Sequence, residues 1–390
     1  MIRLSSAVIR FFCAAAPHNH HRFTEKFQES APMPRTIKTM TPDSATDFFQ
    51  RFIGDEKGKR YVFGINEYSE SVASIVNIDG FIDDFTQVPT WNGKPVYKLA
   101  AITPDSLVIS CVTASFPVSA LCNLEKAGIQ QVADYFSIAE ASNGRLPQVH
   151  AIIETRDDHL HHAAEYVWIR QCLCDDTSRD IFDRIMDFRL NANLQAMNMF
   201  DYAADRQYFE PFFDLHPGDV FVDGGGFDGY TSREFAIRCP DYRAIHLFEP
   251  SDKMLAVAQS KLSDIARITF HPFGLYDRAA NLNFDADGGS ASRITEHGTQ
   301  TVRVDSLDNT ISDTVSFIKL DIEGAELAAL QGARKHILAD HPILAVAVYH
   351  QPADFWQIPK YILGLRDDYK LYLRHYTEGW TETVMFFIPA

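Results

Sequence analysis

Asp219-Val220-Phe221-Val222-Asp223-Gly224-Gly225-Gly226-Phe227-Asp228-Gly229-Tyr230-Thr231-Ser232 reads as a strand, a glycine turn and the start of a helix. Phe221 and Val222 supply a short buried strand, the glycines let the backbone approach a ligand closely, and Thr231 or Ser232 stands where the helix begins. Gly224, Gly226 and Gly229 satisfy G-x-G-x-x-G, a pattern that does not separate a nicotinamide dinucleotide from S-adenosylmethionine. A second strand, Ala244 to Phe248, delivers Glu249 26 residues after Asp223, where an acid would hold the ribose hydroxyls of either cofactor.

Downstream, Phe317-Ile318-Lys319-Leu320-Asp321-Ile322-Glu323-Gly324-Ala325-Glu326 is an apolar strand that ends in closely spaced carboxylates before a helix-forming run. In an open α/β sheet, ligands collect in the crevice beyond the carboxyl ends of the strands, where packing alone would favour apolar side chains. Glu323 and Glu326 also suit the positive N-terminus of a helix, so a structural role stands beside a functional one for both. Asp321, ahead of the helix, is the stronger candidate for chemistry.

Taken together, Asp223 to Ser232, Leu247-Phe248-Glu249-Pro250, Ile318 to Glu326 and Leu330-Gln331-Gly332-Ala333 resemble the FkbM-type family of S-adenosylmethionine-dependent methyltransferases. Ala347-Val348-Tyr349-His350, Tyr372-Leu373-Arg374-His375-Tyr376 and Glu382-Thr383-Val384 follow in the same order, so the resemblance runs from Tyr208 to the C-terminus. Its most specific part is the element carrying Lys319, Asp321, Glu323, Gly324 and Glu326. Gly224 and Gly226 stand where the family often has Val and Ala. The resemblance implies S-adenosylmethionine as cofactor, with Asp223 at its amino-acid end and Glu249, followed by Pro250, at its ribose. Gly224, Gly225, Gly226, Gly229 and Thr231 would form the loop around it, and Gly274, in the turn His271 to Leu275, would lie near the adenine. Asp228 is expected to shape the loop.

Methyl transfer from a sulfonium is an in-line displacement from an activated donor, so the protein mainly aligns the acceptor and excludes water. An alcohol acceptor still needs a general base, or a metal that acidifies the hydroxyl. Asp321, His350 and Glu323 are the catalytic candidates. Either His350 accepts the proton while Asp321 orients it, or Asp321 with Glu323 holds a divalent cation through hard oxygen ligands. No residue is assigned as a metal ligand, and the simpler reading of His350 is a core histidine satisfied by backbone groups. His375 and Arg374 either bind an anionic substrate group or fix the terminal hairpin.

From Lys59 the chain alternates strand and helix: Tyr61 to Gly64, Ser71 to Val76, Gly80 to Ile82, Leu107 to Cys111, Ala120 to Ala127 and Gln131 to Tyr135. That order predicts a small α/β domain with a parallel sheet. Val62 to Asn66, Gly80 to Asp84 and Gly93 to Val96 are similar to the nucleotide-binding domain of bacterial sugar acyltransferases, which implies a nucleotide-linked sugar as ligand. Asp83 and Asp84 read equally as a solvated turn. Asp158 to Met199 is helical in pattern, with Asp175, Asp176 and Ser178 marking a second helix start. His159, His161 and His162 are neighbours on a helix, do not converge and are read as surface or structural.

The net charge of −16 argues against a nucleic-acid partner, because phosphate binding needs clustered Lys and Arg. Six cysteines show no C-x-x-C pair or framework, which fits reduced thiols and a cytoplasmic location. No apolar run approaches the roughly 18 residues of a membrane span. Ala7 to Ala16 is broken by Arg10 and followed by no cleavage region, so residues 1–44 are expected to form a disordered tail.

The expected fold is α/β: a doubly wound Rossmann-like methyltransferase sheet over 208–390, a smaller N-terminal Rossmann-like α/β domain over 45–150, and a helical bridge over 151–207. The expected activity is S-adenosylmethionine-dependent O-methylation of a sugar or another polyhydroxylated metabolite, a small-molecule acceptor that includes nucleotide sugars. A nicotinamide-dependent oxidoreductase and a non-catalytic nucleotide-sugar-binding module are the alternatives.

Overall fold

The computed structural model describes residues 37, 40–54, 58–203, 205–285, 293–294 and 300–390. Most of the expected tail, and the glycine-serine segment 288–292, lie outside these residues. The helix Pro42–Ile53 begins slightly ahead of the expected boundary, because the Thr41 side chain accepts from the Ser44 amide and Pro42 occupies the first turn.

The first sheet comprises β1 (Arg60–Phe63), β2 (Gly80–Ile82), β3 (Thr90–Trp91), β4 (Lys94–Tyr97), β5 (Leu107–Ser110) and β6 (Gln131–Asp134). Its order is β3-β4-β2-β1-β5-β6, parallel except for the β3–β4 pair. The loop after β1 serves packing: Asn66 caps the helix Glu67–Ile75 in a capping box with Ser69, and its amide donates to the Cys111 carbonyl at 2.7 Å. Asp83 accepts from the amides of Phe85 and Thr86, and Asp84 from that of Leu99, so both acids close turns.

The bridge is two long helices, His150–Cys172 and Asp176–Asn191, the second capped by Asp175 as its sequence predicts. The His162 ring lies tilted against Trp356, 4.7 Å between centres, and pairs with Asp158 one turn back. One apolar cluster runs from Phe48 and Phe136 through Phe182 and Phe188 to Ile318 and Leu344, so the bridge joins both halves into a continuous core.

The second half opens with β7 (Val220–Gly224), β8 (Ala244–Phe248) and β9 (Ile268–His271). A separate small sheet follows, of β10 (Gly274–Leu275), β11 (Ala280–Asp285), β12 (Arg293–Ile294) and β13 (Gln300–Asp305). Then come β14 (Phe317–Leu320), β15 (Ile343–Ala347), β16 (Tyr369–His375) and β17 (Thr383–Pro389). The main sheet has the order β16-β17-β15-β14-β7-β8-β9, with β17 antiparallel to both neighbours and the rest parallel. The chain winds outward from β7 to β9 on one side and from β14 to β15 on the other, so the loops after β7 and β14 flank the topological switch point where such sheets hold ligands.

The turn between β16 and β17 reaches across to the first sheet. Glu378 accepts from the Ser119 amide at 2.6 Å and the Ser119 hydroxyl at 2.5 Å, supplying the cap that the helix Pro117–Lys126 lacks locally. A Cβ on Gly379 would stand 1.6 Å from the Ala114 carbonyl oxygen, so only glycine fits. Trp380 packs edge-on against His150, and its carbonyl accepts from Arg189. The switch point of the first sheet lies between β1 and β5, and the loop beyond β5 is where this hairpin docks. The place where that sheet would hold a nucleotide is therefore met by the protein's own chain.

Glu378→Ala removes both acceptors from a buried contact and is expected to destabilise the protein by about 1–3 kcal/mol, read as a lower urea midpoint.

Candidate active site

The glycine loop is shaped first by its own packing. Gly225 has φ +77°, and a Cβ there would lie 2.0 Å from the Asp321 carbonyl oxygen; a Cβ on Gly226 would lie 2.3 Å from Leu247 Cγ. The amides of Gly225 and Gly226 both donate to the Phe248 carbonyl, pinning the end of β7 to the end of β8. The helix that follows is Tyr230–Arg238, with Gly229 at its cap in the left-handed region, so Thr231 lies inside the first turn and does not cap it. Asp228 accepts from the Tyr230 amide and pairs with Lys261 at 2.6 Å, the expected loop-shaping role.

Asp223, expected at the amino-acid end of the cofactor, has partners within the protein. It is fully buried, accepts from Ser232 Oγ at 2.7 Å, and pairs with Lys319 Nζ at 3.1 Å. Lys319 also donates to the carbonyls of Gly224 (3.1 Å) and Gly225 (2.7 Å). Burial would lower the lysine pKa, but the charges of Asp223, Asp321 and Glu249 outweigh it and hold the ammonium above its usual range. Asp223 is thus the counter-ion of a lysine that braces the glycine loop from beneath.

Glu249 lies at the end of β8 as expected. Oε2 accepts from the Phe227 amide at 3.0 Å and Oε1 from the Ser251 amide at 2.8 Å, leaving lone pairs on both oxygens for a vicinal diol. Burial raises its pKa against those two hydrogen bonds. Gly274 is placed beside Pro250, since a Cβ on it would be 3.9 Å from Pro250 Cγ.

Across the switch point, Asp321 and His350 do meet. His350 Nε2 is 3.5 Å from Asp321 Oδ1 and 3.6 Å from Glu323 Oε2, while Nδ1 is 3.0 Å from Glu326 Oε1. Burial alone would lower the imidazole pKa, but Glu326, Asp321 and Glu323 raise it to about 10. His350 is therefore protonated at neutral pH, neither the free base nor the backbone-satisfied core histidine of the sequence reading. Glu326, rather than Glu323, makes the buried contact: Glu326 is fully buried and its Oε1 also accepts from the Ile322 amide, whereas the Glu323 side chain is 54% exposed at the rim.

Three further residues complete the cluster, and the sequence reading passed over them. Tyr208 donates to Asp321 Oδ2 at 2.7 Å, and Tyr349 donates to Asp321 Oδ1 at 3.1 Å and reaches Glu382 Oε1 at 3.4 Å. Burial opposes ionisation of Asp321, but His350, Lys319 and the two hydroxyls together keep it below the usual carboxylate range. Glu382 behaves oppositely: burial and the nearby Asp321 charge raise it to about 7, although it accepts from Gln207. Tyr349 and Glu382 each stood inside quoted segments, one beside His350 and one just ahead of β17, and only folding shows that they face Asp321.

His375 and Arg374 belong to the hairpin. His375 is buried, held near pKa 3 by burial and by Arg189, and bonds Thr383. Arg374 ties β16 to the bridge through Asp175 and Ser178. The five cysteines among the described residues form no disulfide, and no described helix is long and apolar enough to cross a membrane.

Residues 219–378 match the model of the methyltransferase FkbM domain, and no curated protein matches the chain. The crystal structure of a methyltransferase FkbM from Methylobacillus flagellatus KT aligns with TM-score 0.69 at 19% identity, covering 98% of this chain and 100% of that one, which shows a shared fold. Smaller portions align with a putative rRNA-methylase from Clostridium thermocellum (TM-score 0.32, 15% identity, 45% of this chain and 88% of that one). A putative methyltransferase from Streptococcus mutans in complex with SAH aligns similarly (TM-score 0.30, 12% identity, 45% and 90%). Asp321, Glu326 and His350, the acid after β8 and the braced glycine loop thus all lie within the stretch 219–378 that matches the methyltransferase FkbM domain.

Proposed function

We propose that the protein transfers a methyl group from S-adenosylmethionine to a hydroxyl of a sugar or another polyhydroxylated metabolite. The observation that carries this reading is the meeting of two sets of residues over one switch point: the loop Gly224–Gly229 with Glu249 on one side, and Asp321, His350, Tyr349 and Glu382 on the other. The donor set fits the cofactor: Glu249 retains lone pairs for the ribose hydroxyls, and Pro250 and Gly274 offer a flat apolar edge beside them. When bound, S-adenosylmethionine supplies a methyl group already activated by its sulfonium.

The remaining task falls to this chain's own side chains. Asp321 is held as a carboxylate by two tyrosine hydroxyls that burial and nearby carboxylates keep protonated, so it accepts a hydrogen bond from the acceptor hydroxyl and orients it. Glu382 has a proton affinity near neutrality, which suits the group that finally holds the proton, and the Tyr349 hydroxyl bridges it to Asp321. A rim of carboxylates welcomes neutral hydroxyls and repels phosphates, which favours a free polyol or glycoside over a nucleotide sugar. The hairpin lodged at the switch point of the first sheet supports the same choice.

Calorimetric titration of the purified chain with S-adenosylmethionine is expected to show saturable binding that Glu249→Ala weakens about 10- to 150-fold, the range for lost hydrogen bonds to a charged acceptor. No binding by the folded wild type overturns the reading.

The Glu382 carboxyl, raised from 4.5 to about 7 in the folded state, gives a second test. The folded chain binds this proton more tightly than the unfolded one, so its contribution to stability is present below pH 4.5 and lost as pH rises to about 7. Methyl transfer to a polyol acceptor depends on the ionised form and is expected to rise over that upper range. In Glu382→Gln the urea midpoint should fall less between pH 5 and 8 than in the wild type, and the rise in rate should disappear.

A further inference from the structure

Asp321, Glu326 and His350 each offer one ligand atom, and these atoms all lie within 4.8 Å of one another. Asp321 follows the end of β14, Glu326 opens the helix Glu326–Gly332, and His350 lies just beyond β15, so three separate elements converge on one point. A second observation is independent of that proximity. Glu326 is 0% exposed and the His350 side chain 7%, yet Glu326 Oε2 and His350 Nε2 have no hydrogen-bond partner, while Nδ1 faces Glu326 Oε1 at 3.0 Å. Buried polar atoms are almost always satisfied, so two orphans in one place call for something to bind them.

We infer that Asp321, Glu326 and His350 form a binding site for a divalent cation of the Mn2+ or Mg2+ class, a deepening that rests on the proposed O-methylation at this same site. Two carboxylates and one imidazole make a mainly hard donor set, which suits an octahedral oxygen-preferring cation better than a thiolate-loving one. Donors at about 2.0–2.2 Å from such an ion stand about 3–4.4 Å apart, close to the 4.8 Å within which these three atoms already lie. The outer shell is already built: Tyr208 and Tyr349 fix Asp321, and the Ile322 amide fixes Glu326. Local charge points the same way. Glu323, Asp354 and Glu382 surround the three ligands, and the cations facing them are Lys319, committed to the glycine loop, Arg189, facing Asp354, and His350 itself, whose proton is released to solvent when the ion binds.

Three protein ligands leave coordination positions open for water or for neighbouring hydroxyls of the acceptor. A hydroxyl bound there becomes more acidic, and its proton passes to the Glu382 carboxylate. The site thereby selects acceptors that present two adjacent oxygens.

The test is a titration of the metal-free full chain with MnCl2, followed by the loss of the free-ion electron paramagnetic resonance signal. One equivalent per chain is expected, displaced by excess Mg2+ and weakened about tenfold or more in Glu326→Gln, with circular dichroism confirming the fold of the variant. Should that variant fail to fold, pulsed resonance of the Mn2+-loaded wild type decides, because a single imidazole nitrogen must couple to the ion. Absence of tight Mn2+ binding, unchanged binding in folded Glu326→Gln, or no nitrogen coupling overturns the site. S-adenosylmethionine titration of the same metal-free sample separates the two readings: cation binding without cofactor binding sinks the methyl transfer, and the reverse sinks the cation.

Discussion

The ion pair between Lys319 and Asp223 is the constraint on which the rest of the site depends. It lies beneath two adjacent parallel strands, and the ammonium is shared between a carboxylate and the carbonyls of Gly224 and Gly225. Its remaining face lies 5.3 Å from the centre of the Tyr208 ring, whose hydroxyl holds Asp321. One buried cation therefore sets both the curvature of the glycine loop and the position of the acidic cluster. Such a pair contributes little net stability, because desolvation offsets most of the attraction, but breaking it leaves a charge stranded in the core. Its value is geometric.

Much of this was legible in the sequence. The short apolar runs ending in Gly224, Glu249, Asp321 and His350 are buried parallel strands, and their polar termini mark the crevice because a strand's carboxyl end is where side chains leave the core. The acids themselves were harder to rank. Asp223 and Asp321 follow similar runs, yet one is sealed against a lysine and the other is turned toward the crevice. That difference depends on Lys319 lying beside Asp223 across the sheet, a long-range pairing no local pattern records. Glu326 sat at a helix start and read as a favourable charge there; its burial against His350 depends on the loop after β15 folding back over it.

The protonation of His350 shows the same limit from another direction. A histidine after a strand suggests a base, since its unperturbed pKa lies near neutrality. Three carboxylates from a different strand-to-helix connection reverse that expectation, and Glu382, a residue with an ordinary acidic pKa in isolation, becomes the group poised near pH 7. Roles in the cluster are assigned by the neighbours that folding brings, not by residue type.

The hairpin between β16 and β17 has a consequence for anyone recombining this chain with its relatives. The same turn that fills the first sheet with Glu378, Gly379 and Trp380 continues directly into Glu382 at the reactive cluster. The N-terminal half accordingly holds the turn that leads into Glu382. A chimera that exchanges the front half must carry over the surface that receives the turn, or the grafted enzyme will fold around a misplaced acid.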